Sequence, residues 1–429
     1  MTHIFTINNC NIALDVHSGA VHVLDDTAYG VLTGSLTDPV AQKEIDGLIA
    51  AGQLFSPAPN KEEEISYTQN RPPIVKSLCL HIAHDCNLRC KYCFAGEGDY
   101  GARGKKTRSL MSLDVGKSAI DFLIQNSGNR QNLEVDFFGG EPTLNFDTVK
   151  EIVKYAKSRE DEADKNFRFT FTTNGLLLDD EKIEYLNQHM DNIVLSLDGR
   201  KEVNDHMRGK GCYDKVLPNF RHMAEKMTES QKSYYIRGTY TRENLDFASD
   251  IIHMAELGFK NLSVEPVVAP PSAPYALRQE DIPALCKEYE RLSAFIATHP
   301  DINFFHFKLD LLNGPCVAKR ITGCGAGTEY LAITPEGDIY PCHQFVGDDQ
   351  FLLGSLQLGI VKTLWQQEFA HCNVYTKPEC DECWAKYFCS GGCAANAFHI
   401  NGDIMKPDHI GCELQKKRLE CALYLLQFR

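Results

Sequence analysis

A chain of 429 residues exceeds the usual size of one compact domain and calls for two or three units. With 44 basic against 58 acidic residues, its net charge of −14 disfavours nucleic acid or an anionic membrane as the main partner. No stretch reaches the roughly 18 uncharged apolar residues of a membrane span. The N-terminus, MTHIFTINNCNIALD, lacks a basic region leading into an apolar core, so a cytoplasmic protein without a secretory signal is expected.

In chain order, residues 1–56 read as a small separate unit, with short strands around a Ser-Gly turn, then helix, and a second helix near 39–51. Residues 57–73 are polar, charged and proline-bearing, which predicts a linker. From Ile74 strand and helix patterns alternate. Strands are predicted over 75–83, 133–140, 167–175, 192–199, 234–241 and 261–268. Helical patterns fall between them, and another follows near 280–298. Six β–α units in series imply a parallel sheet with helices outside, either open or closed into a partial barrel, over residues 74–305. The active site of such folds lies at the C-terminal strand ends. Four polar motifs sit there: a cysteine run after the first strand, then GGEP, TTNG and SLDG after the next three. Residues 306–429 are cysteine-rich and turn-rich, with a helix near 411–428 and no large core of their own. Metal clusters can supply the missing cross-links in such a segment.

The chain has 17 cysteines, an odd count that suits metal sites better than disulfides in a reducing compartment. Cys86, Cys90 and Cys93 can hold three irons of a [4Fe–4S] cube and leave the fourth open, whereas structural sites normally use four protein ligands. Cys79 is a conceivable fourth ligand but lies inside a predicted strand. The C-terminal pattern is Cys324-x12-Gly337-x4-Cys342, then Cys380-x2-Cys383-x5-Cys389-x3-Cys393, then Cys412.

The triplet resembles the signature of the radical S-adenosylmethionine (SAM) superfamily, with Tyr92 at the aromatic position before its last cysteine. Gly139, Gly140, Glu141 and Pro142 match the family motif that holds the amino group of SAM. The glycines let a ligand approach the backbone, and Glu141 offers a carboxylate to an ammonium. Ser196, Asp198 and Arg208 resemble positions near the SAM carboxylate and ribose, and Asn174 is a further candidate. The resemblance implies reductive cleavage of SAM to a 5′-deoxyadenosyl radical, with the protein holding and orienting the cofactor.

The C-terminal cysteines resemble the SPASM domain, which carries two auxiliary [4Fe–4S] clusters, making three clusters in all. That resemblance gives Cys380, Cys383, Cys389 and Cys412 to one auxiliary cluster, and Cys324, Cys342 and Cys393 to the other. Cys316 either completes the second set or leaves an iron open for a substrate thiolate. The fold class implied is α/β: a partial (β/α)6 TIM-like barrel, an N-terminal winged-helix-like (PqqD-like) peptide-recognition element over 1–56, and a SPASM domain over 306–429.

Segments such as HDCNLRCKYCFAGEGDYG and CSGGCAANA look like the SCIFF-type, or ranthipeptide, maturases, which form thioether cross-links in cysteine-rich precursor peptides. The partners implied are that peptide, its leader held by residues 1–56 in a β-augmentation mode, and an electron donor such as flavodoxin or ferredoxin. Anaerobic sulfatase-type maturases share the architecture but place an aspartate base where this chain has His343. Another SPASM-type maturation, including carbon–carbon cross-linking, and a non-enzymatic Fe–S electron carrier are the alternatives.

Overall fold

A computed structural model describes residues 1–69, 73–98, 100, 108–309 and 317–428. Cys316 lies outside the described residues. The chain divides into two compact units, one of Met1–Arg71, Arg278–Gly323 and Cys372–Arg429, the other of Pro72–Leu277 and Cys324–His371.

In the first unit, strands Thr2–Ile7, Cys10–Asp15 and Val21–Leu24 form an antiparallel sheet in that order. Asn8 and Asn9 join the first two strands at φ of 47° and 60°, the left-handed pair that a tight hairpin needs and that asparagine tolerates. Helices Asp26–Leu32 and Pro39–Ala50 follow, capped by the carboxylates of Asp25 and Asp38. Ala13, Ile45 and Leu54 make the small core beneath them. Asp15 closes this module. Its buried carboxylate takes hydrogen bonds from Thr2, from both groups of Ser18 and from both groups of Ser56. Burial would raise its pKa, but the Ser56 and Ser18 donors outweigh that and hold it well below the usual carboxylate range.

Within 57–73, Lys61–Gln69 is helical, and Glu64 accepts a hydrogen bond from the Tyr375 hydroxyl. Helix His409–Leu425 packs along helix Ile282–Ala297, with Arg418 Nε donating to the Tyr289 hydroxyl at 2.8 Å.

The second unit is built on six parallel strands in sequence order: β1 (Ser77–His84), β2 (Asn132–Gly139), β3 (Asn166–Thr173), β4 (Asn192–Ser196), β5 (Ser233–Tyr240) and β6 (Asn261–Pro266). Helices Leu113–Asn126, Phe146–Ala163, Asp180–His189, Cys212–Glu229 and Phe247–Glu256 connect them, as the alternating pattern predicts. This is the partial TIM-like barrel of the α/β class. Phe167, Phe169 and Phe171 alternate into the helix-covered face of β3 and are essentially fully buried. Each contributes about 1.5–3 kcal/mol of burial free energy. β1 is buried on both faces, and it is a central strand because a further strand, β7 (Tyr330–Ile333), pairs parallel to its other edge. A short antiparallel extension beginning with β8 (Asp338–Tyr340) continues from β7.

Candidate functional site

The loop after β1 carries Cys86, Cys90 and Cys93, and it lies directly on the GGEP segment after β2. Gly140 N donates to Ala83 O at 2.8 Å, and Glu141 N donates to Asp85 O at 2.9 Å. A Cβ on Gly140 would stand 2.1 Å from Asp85 O, and one on Gly139, at φ 123°, would stand 2.5 Å from Ala83 O. The two glycines are therefore required by the approach of two loops. Tyr100 ties the far end of the cysteine loop to the same segment, its hydroxyl donating to Gly139 O at 3.0 Å. Pro142 starts the short helix Pro142–Asn145 that Glu141 caps.

Glu141 is turned inward, with 1 % exposure. Its carboxylate accepts from Thr143 N at 3.0 Å, Thr143 Oγ1 at 2.5 Å, Thr173 Oγ1 at 2.8 Å and Asn174 N at 2.8 Å. Burial pushes its pKa up against these four donors. The expected free carboxylate is thus engaged by its own chain, and it braces the β2 end against TTNG. Asn174, in turn, donates from Nδ2 to Asn87 Oδ1 at 2.7 Å and lies 3.7 Å from Cys86 Sγ.

Asp198, fully buried after β4, is a second hub. Tyr92 donates to its carboxylate at 2.7 Å, Arg208 NH2 at 2.9 Å and Thr239 N at 3.0 Å. Arg208 ends helix Lys201–Arg208, whose Asn204 accepts from Asp198 N at 3.3 Å. Burial works against the Arg208 charge, but Asp198, Tyr92 and Cys90 hold its pKa well above the ordinary value. Arg208 Nε is buried without a hydrogen-bond partner among the described residues. Ser196 ends β4 opposite Arg237 of β5, half-buried.

Burial pushes the Cys86 thiol up to about 11, with Glu141 and Cys93 adding to it. It pushes Cys90 up to about 12, opposed by Arg208 and reinforced by Asp198 and the other two thiols. Three mutually influencing sulfurs in one loop fit three irons of a cube, and the orphaned Arg208 Nε and the Asn174 amide fit a polar ligand beside it.

A further group lies in the same unit, around β1, β2 and β7. Tyr330 donates its hydroxyl to His343 Nδ1, at 3.2 Å, or accepts from it. Burial depresses His343 to about 4, and Arg237 adds to the effect. Asp136 is pushed up to about 7 by burial and by Glu134. Phe94, next to Cys93, meets His343, next to Cys342, with ring centroids 5.7 Å apart. None of Thr143, Thr173, Tyr330 and Asp136 was singled out from sequence. For the first two, adjacency to GGEP and TTNG is a usable signal.

In the first unit, Cys380, Cys383, Cys389 and Cys412 form a nest. Burial raises Cys380, Cys389 and Cys412 each to about 11, and each feels the charge of others of the four. Four thiols so grouped fit a fully ligated cluster. Cys324 and Cys342 belong to the second unit, Cys393 to the first.

Residues 80–250 match the radical SAM superfamily model, and residues 324–384 match the model of the SPASM iron–sulfur cluster-binding domain. The mycofactocin maturase MftC of Mycolicibacterium smegmatis is 28 % identical over 350 residues, covering 77 % of this chain and 81 % of its own. A cysteine-type anaerobic sulfatase-maturating enzyme of Clostridium novyi is 25 % identical over 374 residues, covering 81 % and 95 %. The solved structure of native anSMEcpe with bound AdoMet and the Cp18Cys peptide superposes with a TM-score of 0.66 at 20 % identity, covering 82 % of this chain and 98 % of that one. Among the described residues no helix is long and apolar enough to cross a membrane. Residues 80–250 thus carry a radical SAM domain and residues 324–384 a SPASM domain, with S-adenosylmethionine and [4Fe–4S] clusters as their cofactors.

Proposed function

We propose that this enzyme matures a ribosomally made, cysteine-rich precursor peptide by joining a cysteine sulfur to a carbon in a thioether cross-link. Cys86, Cys90 and Cys93 would hold the cluster that binds SAM. Cys380, Cys383, Cys389 and Cys412 would hold one auxiliary cluster, and Cys324, Cys342 and Cys393 the other, with Cys316 as its further candidate ligand. When bound, these groups supply a 5′-deoxyadenosyl radical and a sink for the electron released as carbon meets sulfur.

One observation carries the reading. The loop after Cys93 and the loop after Cys342 meet through Phe94 and His343. Cys93 and Cys342, which would each hold a cluster, thus lie beside two loops that touch. The chain's residues do the positioning. Glu141 and Asp198 brace the strand ends with internal hydrogen bonds, and Tyr92 and Arg208 lock the cysteine loop to Asp198. Phe94 and Phe138 flank His343, with ring centroids 5.7 and 5.1 Å from it. The names of the sulfatase-maturating and mycofactocin relatives support a peptide or protein substrate. Residues 1–56, with the short outer strand Val21–Leu24, would capture the leader by adding a strand.

Reduced, anaerobically reconstituted enzyme with SAM and a cysteine-rich precursor should yield a product that has lost two hydrogen atoms per link. One cysteine per link should resist alkylation. A product that instead reacts with an aldehyde probe supports the sulfatase-type reading and rejects the thioether.

A further inference from the structure

Lys377 is 2 % exposed, and its ammonium touches no carboxylate among the described residues. Its hydrogen-bond acceptor is Gly391 O, at 2.8 Å. A buried ammonium without a counter-charge is costly enough that such groups are normally paired or neutralised. Beside Lys377 lie the thiols of Cys380 and Cys389, which become anionic when they bind a metal. Lys377 O accepts from Cys380 N at 2.9 Å, at the start of helix Pro378–Asp381, and Gly391 lies two residues beyond Cys389. The side chain therefore runs from the start of the Cys380 helix to the loop after Cys389. The Gly391 backbone sits at φ 82°, and a Cβ there would be 3.8 Å from Lys377 Cδ. Lys416, also beside the nest, differs because Glu413 neutralises it at 2.8 Å. Lys386 differs too, bonded to Asp381 O at 2.6 Å with the Asp381 carboxylate 3.9 Å away.

We propose that Lys377 is the built-in counter-charge of the cluster held by Cys380, Cys383, Cys389 and Cys412, and that it tunes this cluster to accept an electron. The proposal rests on the ligand reading above. A [4Fe–4S] cube with four thiolates is a dianion when oxidised and gains one more negative charge when reduced. A fixed cation beside it stabilises the reduced form more than the oxidised form, so the midpoint potential rises. Lys377 is a positioning and tuning residue that touches no substrate.

The test is an EPR-monitored redox titration of the reconstituted full-length enzyme, with iron and sulfide counted in parallel. A Cys383→Ala variant identifies which signal belongs to this cluster. If Cys383→Ala loses no iron and no signal, the ligand reading fails, and the proposal falls with it for that separate reason. With the signal assigned, Lys377→Met should move its midpoint to lower potential, while Lys377→Arg should leave it near wild type. Loss of the cluster in Lys377→Met with retention in Lys377→Arg supports the counter-charge equally. An unmoved midpoint in Lys377→Met, or loss of the cluster in both variants, overturns the proposal, because charge is then not what the position supplies.

Discussion

The two cysteine groups are both flanked by charges of either sign, and they differ in how the cation is paired. At the triplet of Cys86, Cys90 and Cys93, Glu141 and Asp198 raise the thiols, and Arg208 opposes them at Cys90. At the nest of Cys380, Cys383, Cys389 and Cys412, Lys377 and Lys416 lower the thiols, and Glu379 and Asp408 oppose them. Arg208 is paired with Asp198 at 2.9 Å, whereas Lys377 bonds to Gly391 O and has no carboxylate partner among the described residues. The sites also differ in completeness. The nest brings four thiols near one another, whereas the triplet is backed by Arg208 Nε, which has no hydrogen-bond partner among the described residues.

Breaking the triplet directly has the largest expected effect. Cys90→Ala should abolish SAM cleavage while the iron of the auxiliary clusters stays. Measuring 5′-deoxyadenosine together with iron content checks this, and retained cleavage contradicts the ligand assignment. Asp198→Asn comes next. It removes the charge partner of the buried Arg208 and weakens the anchor of Tyr92. Breaking such a pair costs about 3–5 kcal/mol, read as a lower midpoint in chemical denaturation.

Asp15→Asn tests the N-terminal sheet and should cost about 1.5–3 kcal/mol through the Ser18 and Ser56 bonds. The folded-state pKa of Asp15 is depressed, so its stabilisation is present above the unfolded carboxylate value of about 4 and lost as pH falls below it. The variant should flatten the acid limb of the stability profile of the wild type. The smallest effect is a slope. Cys86 and Cys90 are raised to about 11 and about 12, so the metal-free site holds its protons at neutral pH. Iron must displace them, and uptake by the triplet should strengthen steadily from pH 7 to 9. Flat uptake contradicts thiol ligation there.

The six parallel strands were legible because each is a short apolar run between turn residues, followed by a helical period. Strand β7 was not, because its partner β1 is more than 200 residues earlier and no local pattern encodes a distant pairing. Helix Lys201–Arg208 was missed for a related reason. It buries Asn204 and Arg208 against Asp198, so its sequence lacks the apolar stripe that marks a helix. In the site, motifs gave the identity of Glu141 and Asp198 but not their direction. Both carboxylates turn into the protein to satisfy donors that lie on other strands. Lys377 was invisible for the same reason, since its burial depends on Gly391 folding back over it.

Hydrogen transfer from the peptide to the cofactor is the step that defines the proposed reaction. A precursor peptide deuterated at its acceptor carbons, incubated with reduced enzyme and SAM, should deliver deuterium into 5′-deoxyadenosine as the cross-link forms. Cross-linked product accompanied by 5′-deoxyadenosine free of deuterium would contradict it.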